Sequence, residues 1–436
     1  MSKHISRRQL LQALAAAAGS LGLGALTGCI PSTGRAEEGL QARTYMPVVT
    51  NSTDSPTEPP PTQPPPTEPS PTQPPPTEPP PTQPPPTEPP PATASRVVHV
   101  RDVGVTSWDY GNSYYGNYVN QARVDTMVDR GVMALTHTSS VAQAWQTLVP
   151  DYAPGKGIAI KVNFNNNYQT CDSNNLDLDA LIHPVNAIVK GLLAAYPDFR
   201  QNDIWVYDAT GIAYPEWGPR NINTRFQDGC LYPGVRYFDY RCNEKAGYTS
   251  NDPSAIVTWS RPGLPSGVKV TDVLVDATYL INIPILKRHW ATGVTFGFKN
   301  HFGSIENCYP LHDWVYNGSK YYSAGHSPIV DIYLNANIAG KTVLVMGDML
   351  FGNWENNYSK AKPWVTFGNA APDSLLFATD PVAIDCVMCD LLASEESLLG
   401  ISDHYLLYAS SLGLGTYERG DPWGSGYSHI DYVSLS

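Results

Sequence analysis

The chain has 436 residues and a formal net charge of −12 at pH 7, and only 16% of its residues are charged. It contains no block of basic residues, which argues against nucleic acid as a partner, because such binding relies on Lys and Arg next to phosphates. Tyrosine and tryptophan are abundant, with 26 and 10 residues, which suits an exported protein with aromatic loops or a surface that faces carbohydrate.

Residues 1–29 have the pattern of an export signal. Arg7 and Arg8 precede an apolar run rich in Ala, Leu and Gly, which is too short and too glycine-rich for a membrane span. The stretch "SRRQLLQ" resembles the twin-arginine motif, and "LTGC" resembles the lipobox at which bacterial lipoproteins are cleaved and lipidated. The sequence therefore predicts export from the cytoplasm and anchoring to the cell membrane through a lipid on Cys29. An ordinary secretion signal with an unrelated cysteine is the alternative.

Residues 30–95 are predicted to form a tether. Between residues 56 and 91 the unit "PTEPPPTQPP" recurs with small variations. Proline fixes φ and lacks an N–H, so this segment favours an extended polyproline II spacer that could reach on the order of 100 Å. Residues 96–436 remain for a single globular domain.

In chain order, the globular part alternates between helical and strand patterns. Two helical patterns come first, in "NQARVDTMVDRGVMALT" and "SVAQAWQTLV", followed by a strand at 157–164, a helix at 178–196 and a strand at 203–209. After a long loop at 210–268, strands are predicted at 270–286, 342–348 and 374–380, and a helix from Pro381. Near-continuous apolar strands separated by helices indicate an α/β fold, with a largely parallel sheet, helices on both faces and a long irregular insertion.

Polar side chains follow the predicted strands at the point where each strand ends. They are Asn163, Asp208, Lys287 with His289, Asp348 and Asp380. In open parallel sheets ligands bind outside the carboxyl ends of the strands, so these groups predict one polar crevice. For Asp380 the alternative is an N-cap of the helix that starts at Pro381. Asp385, about one helical turn further on, is less easily explained as a cap.

These segments resemble a known family. The stretches "IAIKVNF", "LINIPILKRHWATGVTFGFKNHFGSI", "VLVMGDMLFG" and "LLFATDPVAIDCV" occur in the order expected of the family called Domain of Unknown Function 362, over about residues 155–395. The central block is the specific part, with matches at Lys287, His289, Gly293, Thr295, Lys299, Asn300 and Gly303. Val162 stands where proline is usual, "FGNWENN" replaces a Glu-Gly-x-Gly-Pro-like run, and the ferredoxin segment of some members is missing. The resemblance implies a shared site built on Lys, His, Asn and Asp, and no named reaction.

The block "GVTFGFKNHFG" buries its phenylalanines and directs Lys299 elsewhere, whether it forms a strand or a short helix. A lysine near apolar surface can have a lowered pKa and act as base or nucleophile, while a charged one can clamp phosphate or carboxylate. The alternative is a lysine whose charged end stays in water. The predicted catalytic residues are Lys299, His289, Lys287 and Asp208. The predicted ligand-binding residues are Asn163, Thr295, Asn300, Asp348, Asp380 and Asp385.

A metal site is a further hypothesis. His289 could serve as a metal ligand or as a general acid and base, and His326 and Asp348 could complete a ligand set for zinc, iron or nickel. The patterns H-x-x-x-H and H-x-H do not occur, so this hypothesis depends on the clustering of histidines alone. The cofactor is left open between a transition metal and an organic molecule, and the sequence has no ferredoxin-type iron–sulfur motif.

Six cysteines remain once Cys29 is assigned to the lipid, and an even number outside the cytoplasm allows disulfides. Cys230 and Cys242 flank a turn-rich loop and are predicted to pair. Cys386 and Cys389 form one C-x-x-C on a predicted helix, which fits either a redox or metal role or two small buried residues.

Two functions fit these patterns. The first is an extracytoplasmic enzyme or redox protein with a metal or organic cofactor in the strand-end crevice. The second is a surface-tethered, non-catalytic module whose Trp- and Tyr-rich loops bind a glycan or small molecule. Lys, His and Asp at strand ends favour the first, because stacking on sugars does not need them. The sequence contains no G-x-S-x-G nucleophile elbow, no P-loop and no G-x-G-x-x-G between strand and helix.

Overall fold

The computed structural model describes residues 95–168, 170–172, 175–211, 218–315, 319, 321–323, 325–396 and 401–436. The predicted export signal, Cys29 and the linker at 56–91 lie outside the described residues, as does the rest of the tether apart from Ser95. Within the ranges that the structure describes, no helix is both long enough and apolar enough to cross a membrane.

Eleven strands form the described sheet, and its central strands are buried on both faces, as their near-continuous apolar sequences predict. The strands are β1 (Ser95–Arg101), β2 (Ile158–Lys161), β3 (Ile204–Asp208), β4 (Arg236–Asp239), β5 (Glu244–Lys245), β6 (Tyr279–Asn282), β7 (Ile285–His289), β8 (Gly293–Val294), β9 (Thr342–Asn353), β10 (Ser374–Ala378) and β11 (Ile430–Leu435).

The strands run in the order β11-β1-β10-β9-β6-β2-β3-β4-β5, and the hairpin of β7 and β8 is attached to β9. All neighbours from β9 to β5 are parallel, and β1 is parallel to β11. β10 is antiparallel to both β1 and β9. β10 therefore runs against β2, β3 and β6, and its last residue, Ala378, is level with Val345 of β9 and so with Asn282 at the end of β6. The sheet is mixed and mostly parallel.

The helices of the described residues differ widely in length. They are α1 (Gln121–Thr136), α2 (Val141–Leu148), α3 (Ile182–Ala195), α4 (Thr224–Asp228), α5 (Asp272–Asp276), α6 (Gly297–Asn300), α7 (His312–Val315), α8 (Pro328–Tyr333), α9 (Pro381–Ala393) and α10 (Ile401–Ser411). The predicted irregular insertion at 210–268 contains α4, β4 and β5, and β4 extends the parallel sheet beside β3.

Two apolar layers lie on the two faces of the sheet. On one face α1, α2 and α3 pack on alternate strand residues such as Ile160 and Val206. On the other face α8, α9 and α10 pack on intervening residues such as Ala159 and Leu280. Because side chains alternate across a strand, each central strand contributes to both layers. The predicted α/β fold with helices on both faces is confirmed.

The disulfide joins Cys171 to Cys242, so the predicted pairing of Cys230 with Cys242 is wrong. The two Cα atoms lie 5.4 Å apart although 71 positions separate the residues. Cys171 belongs to the loop after β2 and Cys242 to the turn after β4, and the parallel order brings these two carboxyl ends to one edge of the sheet. Cys230 precedes β4, and its thiol donates to the carbonyl of Tyr232 at 3.4 Å.

Candidate functional site

Lys161, the last residue of β2, is fully buried at the carboxyl ends of the parallel strands. Its ammonium donates to the carbonyl of Val162 and to Oδ1 of Asn300, the latter at 3.3 Å. It also lies 3.4 Å from Oδ2 of Asp208, which ends β3. Burial lowers the pKa of Lys161, and the Asp208 carboxylate opposes that shift. Sequence patterns did not single out Lys161, although a lysine inside the apolar run "IAIKV" was a usable signal.

Three asparagines connect the ends of β2 and β6 to α6. Asn163 donates to Oδ1 of Asn300 at 3.1 Å, and Asn300 donates to Oδ1 of Asn282 at 2.8 Å. Asn282 in turn donates to the carbonyl of Gly297 at 2.8 Å. A single helical turn such as α6 has too few internal hydrogen bonds to be stable by itself. The amide chain therefore helps to fix the turn that presents Lys299.

Asp385 supports the same turn from α9. Its carboxylate accepts hydrogen bonds from the backbone N–H groups of Gly297, at 2.8 Å, and Phe298, at 3.2 Å. The hydroxyl of Tyr405 donates to it at 3.3 Å. Burial raises the pKa of Asp385 to about 7. This predicted ligand-binding residue thus has its oxygens engaged by the backbone beside Lys299.

Lys299 is buried on α6, with 8% of its surface exposed. Its ammonium lies 3.6 Å from the centroid of the Phe302 ring. The pKa of Lys299 is lowered to about 7, chiefly by burial, and three neighbouring cations lower it further while Cys308 opposes the shift. Near neutral pH Lys299 therefore exchanges between an ammonium and the free amine that a general base or a nucleophile requires.

Lys287 and Arg220 are further buried cations. Lys287 donates to the carbonyl of Leu178 at 3.1 Å. Burial lowers the pKa of Lys287 and raises that of Asp179, and the attraction between the two charges opposes both shifts. Arg220 donates to Oδ1 of Asn165 at 3.4 Å. Arg220 lies in the long insertion, where no periodic pattern pointed to it.

We refer to four side chains together as the cation cluster: Lys161, Lys287, Lys299 and Arg220. The charges of the other three members all lower the pKa of Lys299, which places them within electrostatic reach of it. Two buried carboxylates, of Asp179 and Asp208, act on the cluster, and the half-buried Asp177 also acts on Lys287. The buried part of the site therefore carries more positive than negative groups, in a protein whose net charge is −12.

Three buried polar atoms of the site have no hydrogen-bond partner among the described residues. They are Oδ1 of Asn163, Oδ1 of Asp208 and Nη1 of Arg220. Buried polar atoms are normally hydrogen-bonded, so a ligand or an ordered water can supply the missing partner of each of these three atoms. Nη1 of Arg220 is a charged donor and suits an anion, while the two oxygens suit hydroxyl or amine groups.

His289 ends β7 and is buried. Its Nδ1 accepts a hydrogen bond of 3.1 Å from the backbone N–H of Ala291. Burial lowers the pKa of His289 well below its usual value, and the charge of Lys299 adds to this effect. A neutral imidazole whose Nδ1 is an acceptor carries its proton on Nε2, so that atom offers a donor and no lone pair. His289 therefore suits contact with an anion or a carbonyl better than metal ligation.

Two more of the predicted ligand-binding residues, Thr295 and Asp348, are engaged in contacts within the fold. The Thr295 hydroxyl lies 3.3 Å from the carbonyl of Ile285 and 3.2 Å from that of Lys287, so it ties the segment between β8 and α6 to β7. Asp348 is buried, which raises its pKa to about 7, and it accepts from the backbone N–H of Leu350 at 3.1 Å.

Asp380 is the N-cap of α9, as the alternative interpretation of the Asp-Pro pair predicted. Its Oδ1 accepts from the backbone N–H groups of Val382 and Ala383 at 2.9 Å each. Its Oδ2 accepts from the hydroxyl of Ser95 at 2.5 Å. None of these partners belongs to the cation cluster or is Asp208, so the contacts of Asp380 support the cap and not the shared crevice.

The predicted metal ligands His289, His326 and Asp348 are not brought together. Nδ1 of His326 lies 2.6 Å from the Ser260 hydroxyl and 3.7 Å from Oδ2 of Asp331. In the part of the chain that the structure describes, no group of three or more His, Cys, Asp or Glu side chains is placed to hold a metal ion. Cys386 and Cys389 are buried in the core on α9.

The fold and the site together define an α/β protein with a buried, positively charged site at the carboxyl ends of its central parallel strands. The chain belongs to the family described as Domain of unknown function (DUF362), whose model matches residues 158–390. The matched segment contains every member of the cation cluster. Among curated proteins, none matches the chain.

Proposed function

We propose that this protein is an exported, membrane-anchored enzyme that binds an anionic organic molecule at the strand ends and uses Lys299 as a general base. The observation that carries the proposal is the cation cluster, in which four buried cations meet only two buried carboxylates. The export signal and lipid anchor come from the sequence alone, and they would place this site outside the cytoplasm.

Buried charge without a partner is costly, at several kcal/mol for each ion. Lys161 is paired with Asp208, and Lys287 interacts with Asp179. Lys299 instead faces the ring of Phe302, and Arg220 keeps an unsatisfied Nη1 among the described residues. A phosphate or carboxylate next to Arg220 would supply the missing negative charge, because a guanidinium can donate to two oxygens of either group.

Lys299 suits the removal of a proton from the bound molecule. With a pKa of about 7, part of the population carries a free amine whose lone pair can accept a proton and become an ammonium. The negative charge left on the molecule would be stabilised by Lys161, Lys287 and Arg220, and such preorganised charges act strongly where water is excluded. Nε2–H of neutral His289 would donate to the same group.

An organic anion fits this site better than a metal ion does. Four cations repel a metal cation, and no three-ligand set is present in the ranges that the structure describes. The anion can be the substrate itself or an organic cofactor that carries phosphate or carboxylate.

The proposal is tested by purifying the full chain after export by its own signal and identifying small molecules released on denaturation by mass spectrometry. We expect an anionic organic molecule that is lost from the Lys299→Gln and Arg220→Gln variants. The control, Lys190→Gln, removes an exposed lysine that pairs with Asp125 and should retain the molecule. If no such molecule is found and neither phosphate nor carboxylate compounds bind, the proposal is wrong.

A second candidate, a glycan-binding module, is supported by an open cleft of about 830 Å³. Polar and aromatic residues line the cleft, among them Tyr114, Asn117, His183 and Arg225. The guanidinium of Arg225 covers the Tyr114 ring at 3.5 Å, so a sugar could not stack on that face. A neutral glycan that binds the wild type and the Lys299→Gln variant equally well would favour this candidate.

A further inference from the structure

The Cys171–Cys242 disulfide lies at the surface of the protein. Cys171 is exposed and Cys242 is partly exposed, so a dissolved thiol can reach the bond in the folded chain. Exposed disulfides are the labile or regulatory kind, whereas structural ones resist reduction. Cys171 follows β2 and Cys242 follows β4, so a change in the redox state of this bond acts at the strand ends, where the cation cluster lies.

On one side, the disulfide is attached to the loop after β2, which holds residues 220–224. We call these residues the Arg220 segment. The backbone N–H of Thr224 donates to the carbonyl of Cys171 at 3.1 Å. Nearer to Arg220, the side-chain amide of Asn167 donates to the carbonyl of Asn221 at 2.6 Å, and the backbone N–H of Asn221 donates to the carbonyl of Asn167 at 3.0 Å. The loop after β2 therefore contacts both ends of the Arg220 segment.

On the other side, the disulfide is attached to the turn after β4, which holds the same segment. Asp239 is the last residue of β4 and is fully buried. Its Oδ1 accepts from the backbone N–H of Cys242 at 2.7 Å, and its Oδ2 accepts from the backbone N–H of Ile222 at 2.9 Å. One carboxylate thus joins the turn that carries Cys242 to the middle of the Arg220 segment. The segment is hydrogen-bonded to both of the elements that the disulfide connects.

The guanidinium of Arg220 also depends on the loop after β2. It donates to Oδ1 of Asn165 at 3.4 Å and lies 5.3 Å from the centroid of the Tyr168 ring. The backbone of Arg220 forms an antiparallel bridge with that of Tyr168. The hydrogen bond to Asn165 is long, and Nη1 of Arg220 has no partner among the described residues. The position of the guanidinium therefore depends on how firmly this loop and the Arg220 segment are held together.

We propose that the Cys171–Cys242 disulfide regulates the anion site, because it closes two loops around the Arg220 segment and so holds Arg220 in place for the ligand. This inference rests on the proposed function and adds its regulation. On reduction, a dithiol supplies two electrons and two protons, the S–S bond breaks, both cysteines become thiols, and the dithiol becomes a disulfide. The loops then keep only their hydrogen bonds, and anion affinity falls with the fraction of molecules in which Arg220 is in place.

The proposed export gives this regulation a direction. Thiols are kept reduced in the cytoplasm, whereas disulfides persist outside it. Export would carry the chain from a compartment where the bond is open to one where a disulfide-containing oxidant closes it by the reverse exchange. The site would therefore reach its full anion affinity only after export.

The test compares the binding of inorganic phosphate to the oxidised full chain and to the same chain in dithiothreitol, which is uncharged and does not compete for the site. Phosphorus NMR titration at pH 6 measures the weak affinities as well as the strong ones. We expect reduction to weaken binding to the wild type by about threefold or more. In Arg220→Gln, reduction should change the affinity by less than about twofold, because the side chain that the disulfide positions is gone.

The control is a double variant, Cys171→Ala with Cys242→Ala, which should bind phosphate as weakly as the reduced wild type and should not respond to dithiothreitol. Urea denaturation checks that each form is folded. If reduction unfolds the chain, both forms are compared in sucrose, which favours the compact state. A reduced chain that stays unfolded there would overturn the inference, since the bond would then be needed for the fold and not for the site.

The two proposals can fail separately. If the oxidised wild type binds phosphate and reduction leaves the affinity unchanged, the regulation is overturned while the proposed function stands. The same holds if reduction weakens binding as much in Arg220→Gln as in the wild type, because the effect would then not pass through Arg220. If the oxidised wild type does not bind phosphate, both are overturned.

Discussion

The carboxylate of Asp385 accepts a 2.8 Å hydrogen bond from the backbone N–H of Gly297, and through this bond α9 holds the first residue of the turn that carries Lys299. A Cβ at Gly297 would lie 2.9 Å from the same carboxylate oxygen, so the contact depends on the missing side chain. Asp385 can therefore affect ligand binding without contacting the ligand, because it positions the turn that carries Lys299.

Asp385→Ala should therefore weaken both folding and anion binding. The substitution leaves two buried N–H groups without an acceptor, which costs about 1–3 kcal/mol in the free energy of unfolding. Phosphate affinity of the folded variant should fall, because α6 is freed to move, and Asp385→Asn should restore part of both. Urea denaturation and calorimetry measure the two effects separately.

Asp390→Ala on the same helix is the control for this prediction. Asp390 accepts hydrogen bonds from Arg419, Gly420 and Tyr427, so its loss should also destabilise the fold. It makes none of these contacts with α6, and the folded variant should bind phosphate as the wild type does. Equal losses of phosphate affinity in the two variants would show that general destabilisation is the cause.

Lys299→Met should stabilise the protein at low pH and progressively less at high pH. The pKa of Lys299 is about 7 in the folded state and about 10.4 in an unfolded chain. Below pH 7 the native state therefore contains a charged, buried Lys299, and the full desolvation of that charge lowers its stability. Between these two values the unfolded state binds the extra proton, and wild-type stability rises with pH. The difference between variant and wild type in urea denaturation should shrink from pH 6 to pH 9, and a constant difference would contradict the lowered pKa.

Gly303→Ala should disrupt the pair of Lys161 and Asp208. A Cβ at Gly303 would collide with the ammonium of the first and Oδ1 of the second, both of which are buried. Overpacking of this kind costs about 1–3 kcal/mol, and here it also displaces two groups of the site, so phosphate binding should be lost.

Gly347→Ala provides the comparison, because its Cβ would meet the flexible side chain of Met388 at 2.9 Å, inside the core. It should lower stability and leave phosphate affinity unchanged. Unchanged phosphate binding in Gly303→Ala would exclude the Lys161–Asp208 pair from the binding site.

Loss of the disulfide should destabilise the fold and loosen the loop after β2. Cross-links that close loops of this length, with a separation of 71 residues, stabilise by about 2–4 kcal/mol. We expect Cys171→Ala or Cys242→Ala to lower the free energy of unfolding by about that amount, whereas Cys230→Ala should not. Thiol quantification of the unfolded, unreduced chain would report the same pairing, and a large effect of Cys230→Ala would contradict it.

The central strands and their polar ends could be predicted from the sequence for a physical reason. Strands buried on both faces need near-continuous apolar runs, and β2, β3, β6 and β9 have them. A polar residue at the end of such a run lies where the strand leaves the core, and the positions of Asn163 and Asp208 were predicted in this way. Lys287 lies within β7 and Asp348 within β9, so these two are not strand-end residues as predicted. The start of α9 at the Asp-Pro pair could also be predicted from the sequence, because helix capping involves only neighbouring residues.

The direction and partners of the remaining strands could not be predicted in the same way. An antiparallel strand such as β10 has the same apolar pattern as a parallel one, so only its neighbours show that β10 runs against β9. β1 and β11 pair although they lie near opposite ends of the domain's sequence. Cys171 and Cys242 are likewise far apart in the sequence and joined in the structure. Arg220 lies in an irregular loop, which has no helical or strand periodicity from which its position could be predicted.

The most direct measurement of the cation cluster's role is calorimetric titration of the folded full chain with phosphate at pH 6. The wild type should bind, Lys299→Met and Arg220→Gln should each weaken binding by about tenfold or more, and Lys190→Gln should match the wild type. No detectable binding to the wild type, or equal affinity in all four proteins, would contradict an anion-binding site at the ends of β2, β3 and β6.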